Sequence, residues 1–232
     1  MKEKLKEKIN LDKSYLNYSD IIDKNLPYKF AYLDEWLLKK SKLLLEETKN
    51  TLKNNSEEEI GMYRVYKRGT IIKVDFGVNL GSEMSQVHFA IVLNNFDNKK
   101  NNVLTVVPLT SKSSKFNLDL GSLVIGKLIY KVKKELLKIE IDKEEKELSE
   151  IKTETKLKIK KLTTLLSYYK SNEKNTYACC SLVTTISKTR ILPPVNEYDI
   201  IGRAKCSKEV MEMLDKEILN KITKIDLTIE KK

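Results

Sequence analysis

The sequence predicts an α+β protein in which a compact antiparallel sheet or small barrel is flanked and interrupted by helices. Three observations predict it. All seven glycines lie between Gly61 and Gly202, with none in residues 1–60 or 127–201, so the tight turns of the chain are concentrated in its middle. The β-branched runs fall in the same region. The stretch from Lys127 to Ser171, in contrast, holds no Gly or Pro and is dense in Lys, Glu and Leu.

Between Tyr28 and Asn54 the residues Phe30, Leu33, Leu37, Leu44, Thr48 and Leu52 recur at steps of three and four, with Trp36 and Leu45 beside them, which predicts an amphipathic helix. Residues 69–126 contain TIIKVDF, VHFAIVL and VLTVVPL, separated by Gly-, Asn- and Ser-rich loops, and predict strands. Leu128, Val132, Leu136 and Ile139 share one face of a predicted helix that continues to Ser171. Residues 140–150 hold six acids and two Lys, whereas 152–161 hold five Lys and one Glu, so this stretch is expected to fold back as a helical hairpin turning near Ser149–Thr153. Tyr177–Ile186 reads as a further strand, and Ser207 as the cap of a helix carrying Met211, Leu214, Ile218 and Ile222 on one face. The expected organisation is a helical extension over 1–60 and a sheet domain over 61–232, interrupted by a helical insert at 127–172.

With 41% hydrophobic and 33% charged residues, the 232-residue chain has ordinary globular apolar content and is not disordered as a whole. No apolar stretch approaches the roughly 18 residues that span a bilayer, and Met1–Asn10 lacks the apolar core of a signal peptide. A cytoplasmic protein with no membrane association is expected. Cys179 and Cys180 are adjacent and Cys206 is distant, which forms neither a disulfide framework nor a CxxC pair, so no metal and no cofactor are expected. The formal net charge of +11 suggests a polyanionic partner. Its distribution is uneven: residues 1–60 balance 12 Lys against 12 acids, so the excess begins at residue 61.

The segment from Lys67 to Lys112 is the most informative. It opens a strand with a basic residue and Gly69, continues through a Gly81-Ser82-Glu83 loop and an apolar strand ending in Asn, and closes on Pro108-Leu109-Thr110-Ser111. In that order these features resemble the MazF/PemK toxins, and Thr185-Ile186-Ser187-Lys188-Thr189-Arg190-Ile191 is similar to the last core strand of that family. The resemblance covers about residues 61–126 and 176–228. It implies a small SH3-like barrel, a homodimer, and metal-independent cleavage of single-stranded RNA, restrained by a cognate antitoxin.

In the family, catalysis is assigned to an Arg shortly after the Gly-Ser-Glu loop and to the Thr of the Pro-x-Thr-Ser segment. Thr110 matches, the Arg position is His88, and the following Pro is Phe89. The resemblance further implies RNA contacts at Ser82, Gln86, Ser111, Lys112, Lys188 and Arg190.

The chemistry of these residues fits. Metal-free cleavage needs a base for the ribose 2′-hydroxyl, an acid for the leaving 5′-oxygen, and donors for the charge on the phosphorane-like transition state. His88 is the only histidine in the chain, and imidazole exchanges a proton near neutral pH, whereas arginine stays charged and clamps phosphate. Thr110 can donate its hydroxyl to a phosphate oxygen, Ser111 and Lys112 can hold neighbouring phosphates, and Glu83 can orient His88 or act as the partner base.

Plainer roles stand beside these. A lone histidine near a strand start is commonly structural, Thr-Ser is an ordinary strand end, and Glu83 can cap its own loop. Tyr63, Arg64, Tyr66, Lys67 and Arg68 interleave aromatic and basic groups as single-strand binders do, yet an entering strand produces the same alternation. A second reading is a non-catalytic barrel that binds nucleic acid or a protein such as a topoisomerase. A third makes residues 1–60 a built-in inhibitor, since they are neutral against a basic remainder.

Overall fold

The structure, a computed structural model, describes residues 2–54, 62–144 and 153–223. The chain divides into two compact units. One comprises residues 1–61 with the loop 75–87, the other residues 62–74 with 88–232.

In the first unit, helix α1 (Lys2–Asp23) precedes a 3-10 turn (Tyr28–Tyr32) and helix α2 (Leu33–Asn54). The helix expected from residue 28 therefore starts five residues later. Pro27 precedes a Tyr28 held in left-handed backbone (φ 63°), so the chain reverses before it can propagate an α-helix. Helix α1 lies within the stretch expected to be helical over 1–60, though no single apolar stripe marks its bounds: Leu11, Tyr15 and Leu16 are all exposed.

Helix α2 and the 3-10 turn before it hold the 75–87 loop through named contacts. The Lys29 ammonium donates to the carbonyls of Asn79 and Gly81, each at 2.7 Å. Lys39 pairs with Asp75, and Gln86 donates through Nε2 to the Tyr28 carbonyl at 3.2 Å. The Trp36 ring lies flat against Gly77, where a Cβ would come within 2.3 Å of ring atoms and where φ is +74°. Both facts require glycine there.

The second unit is built on a six-stranded antiparallel sheet of order β1-β2-β3-β5-β4, with β6 also paired to β3, and the sheet does not close into a barrel. Its strands are β1 (Ile71–Asp75), β2 (Val87–Val92), β3 (Val103–Thr110), β4 (Leu118–Asp119), β5 (Tyr177–Ala178) and β6 (Thr184–Ser187). The three β-branched runs thus form β1, β2 and β3. Strand β3 is the central one: Val106, Val107, Pro108 and Leu109 are buried in succession, as expected where both faces of a strand are covered.

The strand expected over 177–186 is broken into β5 and β6 around a 3-10 turn at Cys180–Leu182. Ala178 pairs with Leu109 and Thr184 with Val106, so three extra residues leave the ladder between them. The detour passes Pro108, which has no N–H to give a neighbouring strand, while its carbonyl still accepts from the Cys179 N–H at 2.9 Å.

Helices α3 (Ile125–Glu144) and α4 (Thr153–Ser171) pack on each other and deliver Leu128, Val132, Ile139, Leu162, Leu165 and Tyr169 to the core. The turn expected near 149–153 and the acidic run 140–150 lie mostly outside the described residues or their described side chains. Helix α5 (Lys208–Ile222) begins as expected at Ser207, whose hydroxyl accepts from the Val210 N–H at 3.4 Å, and it buries Val210 and Leu214. Ile222, expected on the same face, is 62% exposed. Burial raises the Cys179, Cys180 and Cys206 thiols to about 11 each, so all three are poor nucleophiles at neutral pH. No helix among the described residues is long and apolar enough to cross a membrane.

One ion pair is fully enclosed. Lys188 donates to Asp97 at 2.8 Å, with the two side chains 3% and 0% exposed. Desolvation works to raise the Asp97 pKa but is outweighed by hydrogen bonds from Lys188, the Tyr66 N–H and Asn101, leaving the carboxyl below its ordinary value.

Two predictions follow from these contacts. Asp97→Ala strands a buried ammonium and is expected to cost about 3–5 kcal/mol in urea unfolding. Because the Asp97 pKa is lower folded than unfolded, its stabilisation is complete above the ordinary carboxylate range of about 4 and fades as pH falls through the depressed value. A wild-type minus Asp97→Ala stability difference that does not shrink in acid contradicts the assignment. In the first unit, Trp36 is the only tryptophan, so Gly77→Ala should shift the native emission maximum to the red as the added Cβ displaces the ring.

Candidate functional site

Strands β2 and β3 run antiparallel with Ala90 opposite Pro108, Ile91 opposite Val107 and Val92 opposite Val106. His88 and Thr110, 22 positions apart in the chain, lie on these two neighbouring strands just past the last of those pairs, His88 near the start of β2 and Thr110 at the end of β3.

The imidazole is oriented by the main chain. His88 Nδ1 lies 3.0 Å from the Leu109 carbonyl oxygen, on the residue just before Thr110. A carbonyl can only accept, so Nδ1 carries the proton of the neutral ring and Nε2 is the basic nitrogen. The side chain is half-buried, enough to fix its direction while keeping the strand end open.

Thr110 closes β3 and is also half-buried; its Oγ1 accepts from the Lys112 N–H at 3.2 Å, which leaves the hydroxyl proton to be given elsewhere. Ser111 and Lys112 follow on an exposed turn. This end of β3 thus gathers an imidazole, a hydroxyl pair and an ammonium within a few residues, with no acid among positions 103–118 to offset them.

The other sequence-derived candidates are placed as follows. Ser82 and Glu83 are exposed on the 75–87 loop of the first unit, where the Glu83 N–H donates to Leu80 O at 3.1 Å and its carbonyl accepts from Ser85. Gln86, in the same loop, has left-handed backbone (φ 70°) and its amide is engaged by the Tyr28 carbonyl. Arg190 is half-buried in a 3-10 turn after β6. Lys188 departs most from expectation: its ammonium is inside the fold on Asp97 and the Asn98 carbonyl, not on an open face.

The aromatic and basic run at 63–68 is likewise structural. Tyr66 is 7% exposed, Arg64 lies over its ring at 5.2 Å and donates to Gly202 O, and Arg68 pairs with Asp215. A contact missed at the sequence level joins Lys73 to the Tyr168 hydroxyl at 2.6 Å, with the ammonium 4.9 Å from the ring centroid. Its two residues are 95 positions apart, and no local pattern connects them. Among the described residues no group of three or more His, Cys, Asp or Glu is arranged to hold a metal ion.

The uniqueness of His88 gives a direct check. A long-range nitrogen-15 correlation spectrum of the protein contains a single imidazole, and at high pH it is expected to show Nδ1 protonated and Nε2 bare. The opposite tautomer would break the Leu109 assignment.

No curated protein matches the chain. Residues 67–167 match a family, in a span that opens before β1, takes in His88 and Thr110, and runs through α3 into α4. It therefore includes most of the stretch set apart above as an insert, and it stops before β5. The matched family is that of the PemK-like, MazF-like toxins of type II toxin–antitoxin systems, and the similarity lies in residues 67–167 of the chain.

Proposed function

We propose that the protein is a toxin that cleaves single-stranded RNA without a metal, with the His88–Thr110 pair at the end of β3 as its reacting centre. The observation that supports the reading is the bond of the sole histidine, through Nδ1, to the carbonyl of Leu109, the residue just before Thr110. The similarity of residues 67–167 to the PemK-like, MazF-like toxins supports the toxin class and an antitoxin partner.

In this reading His88 Nε2 takes the proton of a ribose 2′-hydroxyl. The 2′-oxygen then attacks the adjacent phosphorus, and the bond from phosphorus to the 5′-oxygen breaks. The products are a 2′,3′-cyclic phosphate and a 5′-hydroxyl, the latter completed by a proton from a second group. Thr110 gives its hydroxyl to a non-bridging oxygen as charge builds there, and Ser111 and Lys112 hold flanking phosphates. Glu83 enters as the second proton-transfer group on its place in the family resemblance alone, and Ser82, Gln86 and Arg190 as RNA contacts on the same ground.

The test is cleavage of a long single-stranded RNA in EDTA, with end mapping. His88→Ala is expected to lower kcat/KM by about 10²–10⁴ and Thr110→Ala by about 10²–10³, each with an unchanged thermal midpoint. A barrel that only binds its partner would show no cleavage in the wild type and would tolerate both substitutions.

A second element of the reading is restraint by the N-terminal helices. The Gln86 amide is taken up by Tyr28, and Lys29 occupies the carbonyls on either side of Leu80. Removal of residues 1–60 frees these loop groups and is expected to raise cleavage; a folded truncation with wild-type activity would remove the restraint from the proposal.

A further inference from the structure

Helix α3 buries Leu128, Ile129, Val132 and Ile139 on one side. At 100° per residue, Lys127, Lys131, Lys134 and Lys138 fall within about 60° of one another on the opposite side. They follow the spacing i, i+4, i+7, i+11, so their side chains form one row about 16 Å long. Tyr130 stands at the margin of that row and is 64% exposed.

The row is almost free of counter-charge. Over residues 125–139 there are five Lys and one acid, Glu135, which is paired to Lys138 at 2.9 Å. Lys131, Lys133 and Lys134 make no ion pair or hydrogen bond among the described residues. The elements packed against α3 supply little more: Lys158 of α4 adds to the positive field at Glu135, and Glu209 of α5 feels Lys127. An isolated helix gains by placing acids four residues from its lysines, and this face forgoes that gain. Beyond it the charge reverses in sequence, since residues 140–150 hold six acids and two Lys.

We infer that this face of α3 is a second RNA-binding surface, a track for the phosphate backbone of single-stranded RNA outside the reacting centre. The inference rests on the RNA reading above and deepens it. Lysine ammoniums on long stems track phosphates without reading bases, and an exposed tyrosine among them gives one base a ring to stack on. In sequence, the lysine excess ends at residue 138, before the acids of 140–150. A cation row without a stacking ring, or one laced with acids, would suit solvent alone.

The test separates this surface from catalysis. Full-length protein is titrated with a 2′-O-methyl single-stranded 30-mer, which cannot be cleaved, at several KCl concentrations by fluorescence anisotropy. Each phosphate neutralised on a single strand contributes about 0.7 to the slope of log K against log salt. K127Q/K131Q/K134Q/K138Q is therefore expected to reduce that slope by about 3, and K131Q/K134Q by about half as much. A control with equal charge loss on the first unit, K8Q/K13Q/K40Q/K42Q, should retain the wild-type slope. An unchanged slope in the α3 variants overturns the inference, as it would if the face docked an acidic protein instead. An equal fall in the control also overturns it, by showing that only net charge matters. Because the probe reports binding, loss of the nuclease reading and loss of this surface give different results: the first leaves the slope difference intact.

Discussion

The hydrogen-bonded ladder of β3 is the constraint on which the rest of the second unit depends. Three strands bond to it: β2 on one side, and β5 and β6 in sequence on the other. Buried on both faces, its backbone groups have no water to turn to, so each carbonyl and N–H must find a strand, a loop or a side chain. That demand fixes the register with β2, from Val92 opposite Val106 to Ala90 opposite Pro108, and the His88 imidazole reaches the Leu109 carbonyl just beyond it. It also explains the broken strand at 177–187, because the one residue of β3 that cannot donate is where the neighbouring strand detours. The proposed reacting centre lies past the last β2–β3 pair, where His88 and Thr110 are half-buried.

The same logic decides which charges belong to the fold and which to the surface. Lys188 and Asp97 enclose each other, and burying two ions is unfavourable unless their remaining hydrogen bonds are also met. Here they are: Asp97 accepts from Lys188, Tyr66 and Asn101, and Lys188 also donates to Asn98 O. The pair ties the strand-end turn after β6 to the loop between β2 and β3. The lysines of α3 show the converse: they are aligned along one side, exposed from Lys131 onward, and apart from the exposed Lys138–Glu135 pair have no comparable partners among the described residues. Linear sequence does not distinguish the two kinds of lysine. Position 188 resembled an RNA contact because it sits next to Arg190 in a family-like strand, and its burial depends on Asp97, 91 residues earlier.

Legibility followed the range of the interactions involved. β1, β2, β3, the split helices of 125–171 and the Ser207 cap were readable, since β-branched runs, helical periodicity and a capping residue are local signals. The two-residue strands β4 and β5 were not, because so short a run has no period and exists only through its partner. The bounds of helix α1, inside the extension expected to be helical, had no signal for a different reason: without a buried stripe there is no pattern to delimit it. At the candidate site, His88 and Thr110 were put forward from residue types and their order alone. The lone carbonyl that selects the imidazole tautomer was invisible, since it belongs to the backbone of Leu109 and any side chain at that position would supply it.

In the proposed site, histidine stands where the resembled toxins carry arginine, which would change how binding and reacting are divided. An arginine clamps phosphate with a permanent charge and a rigid fork of donors. A neutral imidazole oriented through Nδ1 by Leu109 can move a proton but contributes little attraction to a polyanion. In this reading the site gains a base and loses a central cation. The attraction then comes from elsewhere in the molecule, where charge need not be aligned with the reacting phosphorus. Lys112, two residues past Thr110, supplies one such charge, and the row on α3 supplies four more on a helix whose core-facing side fixes the direction of its outer face. The arrangement separates capture of the strand, which is long-range and screened by salt, from proton transfer, which depends on a single oriented ring.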